Sequence, residues 1–368
     1  MPTEKKPLKI AVIGCGINGI SCAISLAERG HKIDIYEKKT AFSETSAKSS
    51  KLLHGGLRYL ENGHFKLVKE SLKERSNWVK KLPDLTKIQR FYMPIYKGHS
   101  RNKFLLFTGV KLYELLAANF SLGKSNMHSK KETLEANPLL KQEGLIGSVS
   151  YVDVQMDDYK IAEWLKNEAL NKGVDLKENN EVVSFCENGS LTTRGSETLN
   201  YDFIVNAAGP WAKELLKTNN IQSNFNMSLV RGSHLILDFK IQSPLVLQSA
   251  KDKRIVFMLP LDNGCLLGTT EYTHNIKDPI VCTQIERDYL VDIANTYLEK
   301  TLTQKNIISD YAGVRPLVFD SNTMDVSKIN RDSAIELNES LINIFGGKWT
   351  SGPSLGEKVS DMIESSFR

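Results

Sequence analysis

The most regular hydrophobic pattern lies at the start of the chain. Leu8, Ile10 and Val12 belong to a short apolar run that predicts a strand, and it breaks into Gly14-Cys15-Gly16-Ile17-Asn18-Gly19. Ile20 to Arg29, rich in Ala, Ile and Leu, predicts a helix stopped by Gly30, and Lys32 to Tyr36 predicts a second strand with Glu37 at its tip. This succession is a βαβ unit. Farther on, Phe65, Val68, Leu72 and Val79 fall near one face of an amphipathic helix that ends by Pro83, and Phe91 to Ile95 is strand-like. Phe104 to Phe120 reads as a buried or amphipathic helix, interrupted by Lys111 and Glu114 and too short to span a bilayer. Asp158 is the expected cap of a helix through Trp164, Leu165 and Ala169, closed by Asn171 and Gly173. Strands follow at Val174 and at Glu181 to Phe185, and Tyr201 to Val205 runs into Asn206-Ala207-Ala208-Gly209-Pro210-Trp211.

Residues 216–305 change character. Short runs at Ser228 to Arg231, Ser233 to Asp238, Arg254 to Pro260 and Cys265 to Thr270 predict an antiparallel sheet. Thr283 and Glu286 form a capping box that opens a helix through Leu290, Ile293 and Leu298. The last sixty residues hold Gly313-Val314-Arg315-Pro316-Leu317, the run Ile342 to Thr350, and a final helix with Leu355, Val359, Met362 and Ile363 on its buried face. At 368 residues the chain is too long for one ordinary core. The expected class is α/β: a Rossmann-like dinucleotide-binding domain with a parallel sheet from residues 1–88, 151–215 and 306–368, and an inserted mixed or antiparallel substrate domain from 89–150 and 216–305.

The glycine spacing gives the first domain its chemistry. The first glycine permits the tight turn, the second lets a pyrophosphate approach the backbone, and the third lets helix and strand pack closely, so that phosphate oxygens sit on the helix N-terminus. Glu37 is placed to accept hydrogen bonds from a ribose and repels a 2′-phosphate, which favours FAD or NAD over NADP. The net charge of +5, from 48 basic and 43 acidic residues, does not call for nucleic acid; an anionic small substrate or an acidic membrane surface suits it as well. Five scattered cysteines without a CxxC pair look like reduced thiols, and Met1 to Lys6 lacks the apolar core of a signal peptide. A cytoplasmic protein is expected, with peripheral contact through Phe104 to Phe120 at the inner face of the cell membrane as the alternative. HExxH and paired Cys/His clusters are absent from the sequence, no hydrolytic or metal site is expected, and redox chemistry falls to a cofactor.

Several side chains stand where a core would not choose them. Ser43 to Lys51 and Gly55-Gly56 suit an anion-binding loop, while Leu52, Leu53, Leu57 and Leu60 require burial. His234 follows Arg231-Gly232-Ser233 on a strand, and an imidazole there either is structural or takes a hydroxyl proton. Arg315 can bind a phosphate bidentately or steady an alkoxide. Lys348 lies at the start of the final helix, where the dipole disfavours a cation, which argues for a functional reason.

The run Thr45 to Glu61, with Leu52-Leu53-His54-Gly55-Gly56-Leu57-Arg58-Tyr59-Leu60-Glu61, resembles the flavin-contacting segment of the FAD-dependent glycerol-3-phosphate dehydrogenases, a branch of the D-amino-acid-oxidase-like flavoproteins. The likeness recurs at Tyr151 to Asp157, at the Asn206 to Pro210 turn, at Gly-Val-Arg-Pro-Leu and at Gly346-Gly347-Lys348-Trp349-Thr350. It implies non-covalent FAD, held by Gly14, Gly16, Asn18, Gly19, Glu37 and Lys38; by Ser46, Ser50, Lys51, Leu53, His54, Gly55 and Gly56; by Val183; by Ala207, Ala208, Gly209 and Trp211; and by Gly313, Gly346, Gly347, Lys348, Trp349 and Thr350. It further implies that Arg58, Tyr59 and Glu271 face a small anionic substrate, a phosphorylated polyol or hydroxy acid. His234, Arg315 and Lys348 would be catalytic. The implied reaction is oxidation of sn-glycerol 3-phosphate to dihydroxyacetone phosphate by hydride transfer to the flavin, with quinone or oxygen as terminal acceptor. An amino-acid, amine or 2-hydroxy-acid oxidase of the same fold is the alternative. Glu271 stands where the family usually has Asp, and the further helical C-terminal domain usual in the family is expected to be lacking.

Overall fold

A computed structural model describes residues 6–98, 102–195, 197–320 and 333–366; the side chains of Arg58, Glu61, Asn62 and Asp320 lie outside that description. The opening pattern folds as read. The strand Lys9–Ile13, the helix Ile17–Glu28 and the strand Lys32–Tyr36 form the βαβ unit, with both strands parallel and in direct register from Lys9 opposite Lys32 to Ile13 opposite Tyr36. Among the described residues this sheet has six strands, in the order Ala334–Asn338, Leu341–Phe345, Phe203–Asn206, Lys9–Ile13, Lys32–Tyr36, Asp175–Lys177, with Ala334–Asn338 alone antiparallel. Its central strands are apolar at nearly every position because helices cover one face and a second apolar cluster the other, as a buried parallel sheet requires. The helix Ile17–Glu28 lies against the final helix Gly352–Ser366, joined by Ser25 and Ser360 at 2.9 Å and by Arg29 with Glu357 and Asp361.

A larger mixed sheet carries the rest. Its path runs Tyr272–Thr273, Phe225–Leu237, Gly264–Gly268, Ile255–Leu261, Leu245–Gln248, Thr86–Tyr96, Leu145–Met156, Leu52–Leu53, and Ile307–Asp320 joins it by pairing along Phe225–Leu237. This pairing departs from the expected division of the chain, which gave residues 306 onward to the first domain. Thirteen residue pairs between Phe225–Leu237 and Ile307–Asp320 bind that segment to the second sheet, and the next described strand, Ala334–Asn338, lies in the first sheet. The long strand crossing from one unit to the other is what sets Arg315 above the junction. The helix Lys103–Ala117 covers the large sheet with Val110, Tyr113 and Ala117, yet leaves Phe104, Leu105 and Leu115 exposed, so it is amphipathic rather than buried. Among the described residues no helix is long and apolar enough to cross a membrane.

Two caps differ in detail. Thr283 and Glu286 form the expected capping box before Gln284–Tyr297. The helix Asp158–Asn171 is capped by Asp157, whose carboxylate accepts the Lys160 amide at 3.1 Å, one residue before the expected Asp158. Asp158 is buried instead, accepting the Ser49 hydroxyl at 2.7 Å and pairing with Lys51.

Candidate active site

A cleft of about 300 Å³ opens at the N-terminus of the helix Ile17–Glu28, lined by Gly14 to Asn18, Tyr36 to Lys39, Ser46, Ala207 to Trp211 and Gly346-Gly347. The close approach the motif demands is present: a Cβ on Gly19 would lie 1.9 Å from the Gly14 carbonyl oxygen. On the opposite wall Gly347 has φ +95°, and a Cβ there would lie 2.4 Å from Asn18 Nδ2, while Asn18 itself donates to the Gly346 carbonyl at 2.9 Å. Glu37 stands at the tip of its strand, one carboxylate oxygen accepting the Cys15 amide at 2.8 Å and the other the Lys39 amide at 2.9 Å; each oxygen keeps a further lone pair for a ribose hydroxyl. Lys38 lines the cleft and pairs with Glu181 at 2.8 Å. The Ser46 hydroxyl accepts the Ile17 amide at 3.1 Å, and its carbonyl accepts the indole of Trp349, which stacks on Phe42. Trp349 therefore braces the cleft from behind.

A second pocket, about 470 Å³, lies under the helix Lys103–Ala117 against the large sheet. Ser50, His54, Gly56, Tyr59, Thr269, Glu271 and Arg315 supply its polar side, and Leu57, Leu60, Met93, Leu106, Val110 and Phe257 its apolar side. Residues 50, 52 and 54 face this pocket; Lys51, whose backbone is left-handed at φ +54°, turns away, as does Leu53 by the period-two alternation of its strand. Lys51 accordingly pairs with Asp158 and Leu53 enters the core, so neither lines a cavity as the resemblance implied. The same alternation exposes Val183 and turns its neighbour Val182 into the first cleft. Gly313 packs on the Lys48 side chain, and Thr350 donates to the His54 carbonyl at 3.3 Å; both support the walls without lining them.

The three residues expected to be catalytic come from three segments of the chain, and of them Arg315 alone is in the wall of this pocket. Arg315 donates through Nη2 to the Thr270 carbonyl at 2.8 Å, with Glu271 at 3.7 Å from Nη1. Lys348 Nζ sits 4.3 Å from the Tyr59 ring centroid, a cation–π contact, and is buried without a hydrogen-bond partner among the described residues. His234 is buried behind the pocket. Its Nε2 meets the Ser50 hydroxyl at 2.8 Å, and its ring stacks on Tyr311 at 4.8 Å, whose own hydroxyl donates to the Ser49 carbonyl. The pocket is thus reached from His234 through Ser50. The Arg58 side chain lies outside the described residues.

Sequence reading missed what stands behind these groups. Arg75 and Asp153 form a buried pair at 3.1 Å, the Tyr113 hydroxyl donates to Asp153 at 2.9 Å, and the Gly55 amide donates to Tyr113 at 2.8 Å, fixing the glycine pair from below. An Arg on an amphipathic helix carries no signal that distinguishes burial from exposure. Glu286 was visible only as a cap.

Burial, with Arg315 and Lys51 nearby, pushes the His234 imidazole from 6.5 down to about 3, and burial lowers His54 as well. The unfolded chain therefore takes up a proton below about pH 6.5 that the native protein refuses until about pH 3, so stability is lost as pH falls through that window. The contribution is about 1.4 kcal/mol per pH unit for one such group. Urea unfolding at about pH 7 and about pH 5 should show wild type losing on the order of 2 kcal/mol more than His234→Gln over that span; equal losses would show that the imidazole is not held neutral.

The first cleft suits a dinucleotide, and the second pocket, with Arg315 and Glu271 in its wall, suits a small polar molecule. Comparison with known proteins gives the family: residues 9–362 match the DAO model, FAD dependent oxidoreductase, and the chain belongs to this family. It is 31% identical over 376 residues to the aerobic glycerol-3-phosphate dehydrogenase of Staphylococcus haemolyticus (strain JCSC1435), an alignment covering 98% of this chain and 67% of that protein. The glycerol-3-phosphate dehydrogenase of Bacillus halodurans, solved with FAD, superposes with a TM-score of 0.78 at 25% identity over 99% of this chain and 65% of that one. Glycine oxidase from Bacillus cereus ATCC 14579 shares the fold, with a TM-score of 0.71 at 20% identity over 98% and 95% of the two chains. The chain thus spans about two-thirds of the length of these glycerol-3-phosphate dehydrogenases. FAD is the cofactor. The glycine cradle that a Cβ would fill, and the buried Asn18 Oδ1 and Lys348 Nζ, which lack a hydrogen-bond partner among the described residues, fit it.

Proposed function

We propose that this protein oxidises the secondary hydroxyl of sn-glycerol 3-phosphate, giving dihydroxyacetone phosphate. The observation that carries the reading is Arg315 in the pocket wall, with Lys348 Nζ held against the ring of Tyr59, another wall residue, and without a hydrogen-bond partner among the described residues, beside a serine bonded to a buried histidine. Two cations suit a phosphate ester and the negative charge that develops on the oxidised oxygen. FAD, when bound, supplies the acceptor for the two electrons and the carbon-bound hydrogen.

The protein's own residues do the rest. Gly14 to Asn18 and Gly346-Gly347 hold the cofactor's phosphates and ring edge, with Glu37 on the ribose. Arg315 binds the substrate anion, and Lys348 compensates charge on the reacting oxygen. The hydroxyl proton passes to Ser50 Oγ as Ser50's own proton moves to His234 Nε2. Burial makes the imidazolium unfavourable, so His234 holds this proton only in passing.

One feature favours a second reading. Glu271 places a carboxylate beside Arg315, a combination that also suits an amino acid with its carboxylate on the Arg and its ammonium on the Glu. Anaerobic mixing of the flavin-loaded protein with sn-glycerol 3-phosphate, followed at the flavin band near roughly 450 nm, separates the two. Bleaching by the phosphate ester and none by glycine or other amino acids supports the first reading; the reverse pattern overturns it.

A further inference from the structure

The capping box at Thr283 does more than start a helix. The Glu286 side chain is fully buried, an unusual place for a cap residue. Its two oxygens accept the Thr283 amide at 3.0 Å and hydroxyl at 2.8 Å, the Ser233 hydroxyl at 2.8 Å, the Thr270 hydroxyl at 2.7 Å and Arg231 Nη2 at 2.8 Å. Five donors converge on a group with about four lone-pair sites, which leaves no place for a proton, so the carboxylate is ionised. Two of these partners adjoin the pocket. Ser233 precedes His234, and its amide donates to the Thr270 hydroxyl at 2.9 Å. Thr270 lies between Thr269 and Glu271, both in the pocket wall, and its carbonyl receives the Arg315 guanidinium.

We infer that Glu286 is a positioning residue for the substrate anion: through Thr270 it fixes the carbonyl that aims Arg315 into the pocket. The inference rests on the reading of Arg315 as the anion-binding group. A helix cap alone would be satisfied by Thr283, whereas here the same carboxylate clamps the Phe225–Leu237 strand to the Thr269–Glu271 segment. Replacing it by Gln keeps the volume, puts an amide N–H₂ among donors and leaves Arg231 without its ion partner, so Thr270 loses its fixed position.

The test titrates the flavin-loaded protein with inorganic phosphate, reading affinity from the change in flavin absorbance, in a double-mutant cycle. Glu286→Gln should weaken phosphate about tenfold in the wild-type background and by nothing further when Arg315 is already Ala. Thr270→Val, which keeps the side-chain shape and the Glu286 carboxylate but removes their link, should give the same loss and the same non-additivity. It also serves if the Gln variant fails to fold. A lowered Tm with unchanged phosphate affinity in both variants, or an equal loss in the Arg315→Ala background, would reduce Glu286 to a structural ion pair and overturn the inference. Unchanged phosphate affinity in Arg315→Ala itself would instead remove the anion-binding reading on which it stands.

Discussion

Arg315→Ala should lower kcat/KM for sn-glycerol 3-phosphate by about 10²- to 10³-fold, the loss expected when one partner of a charge-assisted, partly desolvated anion contact is deleted. The guanidinium works from the interior of a long paired strand, with its own orientation set by the Thr270 carbonyl. It is partly exposed rather than a core group, so the variant should keep its flavin and most of its stability. Steady-state rates with an artificial electron acceptor, beside the flavin spectrum of the purified variant, make the measurement. A variant that retains both spectrum and full activity would move the anion site elsewhere in the pocket.

Gly19→Ala should produce protein without flavin. The added Cβ would stand 1.9 Å from the Gly14 carbonyl oxygen, far inside any van der Waals contact, and the obstacle is backbone rather than a side chain that can swing away. Helix and strand must separate at the point where the cofactor's phosphates approach, so both stability and cofactor binding suffer, by several kcal/mol in stability. The check is the ratio of flavin absorbance to protein after purification, with denaturant unfolding alongside. Near-stoichiometric flavin in the variant would mean that the loop can shift without harm.

How far the sequence announces such effects differs between the two sites. The cleft was legible because its requirements are local: Gly14 to Gly19, the following helix and Glu37 lie within thirty residues, and their spacing encodes the turn directly. The Arg315 and Lys348 motifs were legible mainly through resemblance, with the helix dipole as the one local signal at Lys348. The supporting groups stayed hidden for a physical reason. Arg75 and Glu286 are fully buried because their partners, Asp153 and Arg231, arrive from distant segments, and a charged residue on a helix reads as solvated until its partner is known. Lys51 and Leu53 show the opposite limit. The resemblance put Ser50, Lys51, Leu53, His54, Gly55 and Gly56 against a ligand, while the left-handed backbone at Lys51 and the strand alternation at Leu53 turn those two side chains away. Ile307–Asp320 was assigned to the wrong unit because a strand's alternation gives its length but does not name the sheet that takes it.

The bond between Asn18 and the Gly346 carbonyl joins residues 328 positions apart. At about 5–20 residues per second of synthesis, the first helix waits roughly twenty seconds to a minute before the opposite wall of its cleft exists. During that interval its apolar face, later covered by the final helix, has no native cover on the ribosome. Capture of FAD should therefore wait until the segment around Gly346 has been made. A nascent chain stalled before residue 346 should hold none.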